Sequence, residues 1–84
     1  MKPGYHTGKL VFGRAENLGK RVKKLRKWYG MSQEEAGVIC GVSGATLSRI
    51  EAGDDCLVST ILKLCIATDV PPERLFANLP ELRR

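Results

Sequence analysis

The chain has few of the residues that build metal and disulfide chemistry. It holds three cysteines, Cys40, Cys56 and Cys65, and one histidine, His6, in 84 residues. No two cysteines form a C-x-x-C pair and His6 is remote from all three in sequence, so no metal site is expected. An odd number of cysteines does not make a disulfide framework. Cys40 and Cys65 fall at apolar helix positions and read as small core residues. Cys56 falls in a loop, which leaves a redox role open for it alone. No apolar run approaches the length of a membrane span. The opening MKPGYHTGKLVFGR lacks the apolar centre of a signal peptide. The expected location is cytoplasmic, with no membrane partner. GVSGA at Gly41 misses the G-x-S-x-G nucleophile pattern because Ala45 stands in its last place, and no histidine lies near Ser43. No phosphate-cradling glycine loop occurs. The chain is not expected to be an enzyme, and no cofactor is expected.

Acidic residues are scarce in one part of the chain. Residues 1–30 hold nine Lys/Arg against the single acid Glu16, a local charge of +8, whereas residues 31–84 hold five Lys/Arg against eight Asp/Glu, a local charge of −3. A basic half suits a polyanion, since each phosphate contact releases counterions. Lys20, Arg21, Lys23, Lys24, Arg26 and Lys27 surround one helix, so only some of them can face a duplex. The length allows one domain with a small core.

Ser32 to Gly53, SQEEAGVICGVSGATLSRIEAG, carries most of the information. Ser32 and Glu35 form a capping box, S-x-x-E, at a helix start. Ala36 and Cys40 fall four apart, and Gly41 follows where a helix stops. Ser43 caps a second helix, whose Leu47 and Ile50 fall three apart on one face. Small Gly37 lies mid-way along the first helix, where the second can cross closely. Two helices joined by a short glycine turn make a helix-turn-helix, whose second helix fits the major groove of DNA. A plain helical hairpin is the alternative.

The rest of the chain supplies three more helices. Leu18, Val22, Leu25 and Tyr29 make one apolar stripe, predicting a first helix over Ala15 to Tyr29 that Gly30 closes. The second and third helices are expected over Gln33–Cys40 and Gly44–Ala52. A fourth covers Val58 to Thr68, with Val58, Ile61, Leu62, Cys65 and Ile66 apolar. A short fifth begins at Pro72, with Leu75 and Phe76 turned inward. Residues 1–14 read as a flexible arm, interrupted by glycines and a proline, in which Lys9 to Phe12 offers a short strand as an alternative. Residues 78–84 read as a tail, and residues 15–77 as the domain.

Gln33, Gly37, Gly41, Leu47 and Ile50, with the flanks LGKRVKKLRKWYGMSQEE and RIEAGDDCLVSTILKLCIATDVPPERLF, resemble the phage repressor and Cro type (Xre) of helix-turn-helix proteins. The agreement runs over roughly Asn17 to Ala77, far more than a single short motif. The resemblance implies an all-α, five-helix domain like that of the lambda repressor. It implies that the third helix is the recognition helix and that Gln33 meets the DNA backbone and braces that helix. It also implies a partly buried bridge between Arg26 and Glu51.

Under this resemblance the DNA-binding candidates are Gln33, Ser43, Gly44, Ala45, Thr46, Ser48 and Arg49. Gly44 and Ala45 stand where relatives often carry long readers, and neither makes a bidentate base contact. Ala45 can press on a thymine methyl, and Gly44 can let backbone approach DNA. Thr46 and Ser48 can donate to phosphate or base edges. Arg49 can reach guanine or, alternatively, a phosphate. Asp54 and Asp55 depart from the family, many of whose members carry basic residues there.

Double-stranded DNA is the expected partner, bound by a homodimeric repressor on a palindromic operator. Leu75, Phe76, Leu79 and Leu82 are the candidates for the dimer contact. The alternative is an antitoxin-type protein that neutralises a toxin partner and autoregulates its operon. A restriction-modification controller is a third reading.

Overall fold

The computed structural model describes residues 10–82, which form helices and connecting turns without a strand. Its five α-helices are α1 (Leu18–Trp28), α2 (Gln33–Cys40), α3 (Gly44–Glu51), α4 (Val58–Thr68) and α5 (Pro72–Phe76), followed by a 3-10 turn at Pro80–Leu82. The fold is the all-α, five-helix arrangement that the spacing of apolar residues predicts.

Side chains set most of the helix starts. Asn17 caps α1, its Oδ1 accepting the Lys20 N–H at 2.9 Å, so the helix begins at Leu18, the first residue of the apolar stripe, and not at Ala15 as expected. At α2 both arms of the capping box are present: Ser32 Oγ accepts the Glu35 N–H at 3.0 Å and the Ser32 N–H donates to Glu35 Oε1 at 2.8 Å. These bonds hold the Glu35 carboxyl below its usual value, the backbone N–H of Ser32 contributing most. Gly41 ends α2 with φ at +77°, which a glycine adopts at little cost. Ser43 caps α3 through the Thr46 N–H at 3.0 Å. Leu57 occupies the N-cap of α4 without a side-chain bond, so neither Asp54 nor Asp55 caps that helix.

The core joins Val22 and Leu25 of α1, Ala36 and Cys40 of α2, Leu47 and Ile50 of α3, and Ile61, Leu64 and Cys65 of α4 to Val70 and Leu75. Two glycines permit the closest approaches. A methyl group on Gly37 would stand 2.6 Å from the Val42 carbonyl oxygen, which is how the turn folds back on α2. A methyl on Gly19 would collide with the Ile50 carbonyl and stand 2.8 Å from that of Glu51, so α1 rests directly on the backbone that ends α3.

Several expectations need correction. Leu10 is buried in the core and Phe12 packs against it, so these residues belong to the domain and not to an arm; Lys9 and the residues before it lie outside the described part. No strand forms over Leu10–Phe12. Leu75 and Leu79 are buried within one chain and are therefore not free for a dimer contact, whereas Leu82 is exposed and Phe76 is half-buried. Val58 and Ile66 are exposed; the inward face of α4 is Ile61, Leu64 and Cys65. Cys56 is half-buried and packs against the core. Burial pushes all three free thiols above their ordinary values, which disfavours the reactive thiolate.

Arg21 is the largest correction. It is 1 % exposed. Its Nη1 donates to the carbonyls of Leu75 at 3.0 Å and Ala77 at 2.6 Å, and its Nη2 to those of Gly13 at 3.3 Å and Asn78 at 3.5 Å. A guanidinium buried at the end of α5 satisfies carbonyls that the helix leaves unpaired. Phe12 covers this arginine, its ring centroid 5.7 Å from the guanidinium carbon. Arg21 therefore holds α5 and the segment around Gly13 to α1, and is removed from any phosphate-facing set.

Candidate nucleic-acid interface

The geometry of the site begins under its surface. Arg26 of α1 meets Glu51, the last residue of α3, through Nε–Oε2 at 2.6 Å and Nη2–Oε1 at 3.1 Å. Both residues are buried. The remaining Arg26 nitrogen, Nη1, donates to the Met31 carbonyl at 2.8 Å. Gln33, the first residue of α2, completes the node by donating from Nε2 to Glu51 Oε1 at 3.2 Å. One carboxylate thus ties together the end of α1, the start of α2 and the end of α3. A planar guanidinium is the cation suited to such a two-pronged contact.

This node fixes α3 with one polar row outward. Ser43 Oγ and Thr46 Oγ1 lie 3.0 Å apart, and Arg49 Nη2 donates to Thr46 Oγ1 at 3.3 Å. Ser43, Thr46 and Arg49 recur three apart and so share a face. Ala45 and Ser48 are exposed beside them, and Leu47 and Ile50 face the core. Arg49 is the only long cationic side chain on α3.

Gly44 sits differently from the other candidates. A methyl group there would lie 3.2 Å from Glu34 Cγ and Oε1. The exposed side chain of Glu34, from α2, therefore lies beside Gly44 and brings a negative charge to the position expected to let backbone approach DNA. Nothing in the spacing of α3 signals this, because the neighbour comes from α2. Among the α1 cations, Lys20, Lys23 and Lys27 are exposed. Lys24 is engaged by the Val11 carbonyl and by Glu16, at 3.3 Å from the latter. The loop after α3 presents Asp54 and Asp55 to solvent. No helix of the described residues is long and apolar enough to cross a membrane.

Comparison with known proteins places this geometry. The helix-turn-helix family model HTH_3 matches residues 22–75, from the middle of α1 into α5. No curated protein sequence matches. Among solved structures, the P22 c2 repressor protein, crystallised in complex with synthetic operator 9T in the presence of Tl+, is similar with a TM-score of 0.67 and 25% identity over 76% of this chain and 98% of that one. The helix pair α2–α3, its buried brace and this agreement over most of the core lead to one conclusion: the chain belongs to the helix-turn-helix family of the phage repressor and Cro type.

Proposed function

We propose that the chain is a transcriptional repressor that binds double-stranded operator DNA through α3, as a homodimer on a palindromic site. The observation that carries this reading is the outward polar row Ser43, Thr46 and Arg49 on a helix held from behind by Arg26, Gln33 and Glu51. A rigid recognition helix delivers its side chains to base edges without paying to order them first. The similarity to a repressor crystallised with its operator supports the same reading.

The DNA contacts divide by chemistry. Arg49 is the candidate for a two-pronged contact to guanine, and the Ala45 methyl suits a thymine methyl. Ser43, Ser48 and Thr46 are hydroxyl donors for phosphate or base edges. Gln33 sits at a helix N-terminus, where backbone N–H groups also favour phosphate. With Glu34 beside Gly44 and two aspartates in the following loop, one copy makes few contacts, and two-fold symmetry is the means of doubling them.

Fluorescence anisotropy against operator candidates over a range of salt tests the reading. If a dimer makes about six phosphate contacts, the log–log slope should be near −5. A flat response between low and moderate salt would remove DNA as the main partner.

A further inference from the structure

An apolar groove of about 360 Å³ opens beside the C-terminal end of α3. Leu18, Ile50, Val58 and Phe76 contribute to its walls, and Leu82 of the 3-10 turn to its far side. The apolar surface continues onto the protein exterior. Val58 is 62% exposed, Leu82 69% and Leu57, which lies in sequence between two lining residues, 73%. That is a concentration of exposed aliphatic side chains on a small domain, of the kind that marks a contact surface. Its volume is at the lower end of the range for sites that take a few side chains or a small ligand.

The charge around the groove narrows what can fill it. Among the described residues, Asp54, Asp55 and Glu81 line it and no lysine or arginine does. Glu81 is held in place because its Oε2 accepts the Leu18 N–H at 3.2 Å, at the first turn of α1. Asp54 and Asp55 are exposed and make no ion pair among the described residues. A second copy packed groove to groove would bring two carboxylate-bearing rims together, which costs rather than gains.

We infer that this groove docks a basic, amphipathic segment of a partner protein, with aliphatic side chains seated between α1, α4 and α5 and flanking Lys or Arg residues on Asp54, Asp55 and Glu81. The apolar floor supplies affinity and the carboxylates supply orientation and choice of partner. The site is separate from the outward face of α3, so the inference does not rest on α3 reading DNA; it does take Phe76 and Leu82, the candidates left for a dimer contact, and so requires the proposed homodimer to form through another surface.

The test uses the intact protein and two labelled peptides in fluorescence anisotropy. One carries leucines at i, i+3, i+4 and i+7 with lysines elsewhere; the other has glutamate in place of every lysine. The lysine peptide should bind about ten-fold more tightly than the glutamate peptide. Asp54→Asn with Asp55→Asn should weaken the lysine peptide by about five-fold, the order expected of two exposed charge contacts. Val58→Lys and Leu82→Lys should each weaken it further; both side chains are exposed, so the variants should fold, and circular dichroism checks that. Glu34→Gln, on α2, should change nothing and so excludes a general attraction to acidic protein. Equal binding of the two peptides, no binding of the lysine peptide, or wild-type affinity in the aspartate variant would each overturn the inference. So would a dimer in sedimentation that Leu82→Lys dissociates, since a second copy would then occupy the groove.

Discussion

Arg26 and Glu51 meet twice, 2.6 Å and 3.1 Å apart, across the contact between α1 and the end of α3. Their side chains are only 10% and 4% exposed, so each leaves the other as a buried, unpaired charge when removed. Glu51→Ala should therefore cost about 3 kcal/mol or more of folding stability, and Arg26→Ala a similar amount. The double variant should cost less than the sum. Chemical denaturation measures all three, and strict additivity would show that the two side chains do not act as a pair.

Arg21 should behave as a structural cation. Its removal strands carbonyls at the end of α5 and detaches the segment that carries Gly13. Arg21→Ala should destabilise by about 3 kcal/mol, with the amides of α5 losing hydrogen-exchange protection first. Unchanged protection in α5 would show that the helix is held by Leu75 and Phe76 alone.

Gly19→Ala and Gly37→Ala should run against helix propensity. In an open helix the change to alanine gains about 1 kcal/mol. Here the new methyl meets backbone carbonyls of Ile50 and Glu51, or of Val42, which cannot move aside as a flexible side chain would. Each variant should lose about 1–3 kcal/mol instead. A gain in melting temperature for either would mean that α3 shifts freely on its neighbours.

The capping box gives a pH prediction. Glu35 is held below its usual carboxyl value by its bonds from Ser32. A lowered folded-state value means that this contribution is present above the unfolded value and is lost as pH falls through the folded one. Ser32→Ala keeps the backbone N–H and removes the hydroxyl, so it should raise the Glu35 carboxyl only part of the way to its usual value, as followed by NMR titration. An unmoved titration curve would show that the Ser32 hydroxyl does not contribute to the lowered value.

Local signals made most of the helical frame legible. Ser32, Glu35, Gly41 and Ser43 act through their immediate neighbours, and such residues carry the same meaning in any chain. Gly37 was legible because the turn it must admit follows within a few residues. Gly19 was not, because its partner is the backbone at the end of α3, and the spacing of α1 records only a weak helix former. Arg21 looked like one cation among six; its burial depends on α5 arriving over it. Leu79 and Leu10 read as terminal residues, yet both fill gaps that a small core leaves at its edges. Val58 and Ile66 continue the apolar run of α4 onto its exposed side, where periodicity alone does not separate core from surface. At the candidate site, the family pattern pointed to Arg26 and Glu51, whereas Glu34 over Gly44 is a contact between helices that no spacing rule contains.

The proposal that α3 reads DNA is tested most directly by fluorescence anisotropy of the intact protein and its Arg49→Ala variant. Each would be titrated onto an operator selected from a random DNA pool by the wild type, and onto unselected DNA. The variant should lose about 1–3 kcal/mol on the selected site and almost nothing on unselected DNA. Equal affinity of the two proteins for the selected site would contradict a reading role for Arg49, and a wild type that binds no DNA at low salt would contradict the proposed function itself.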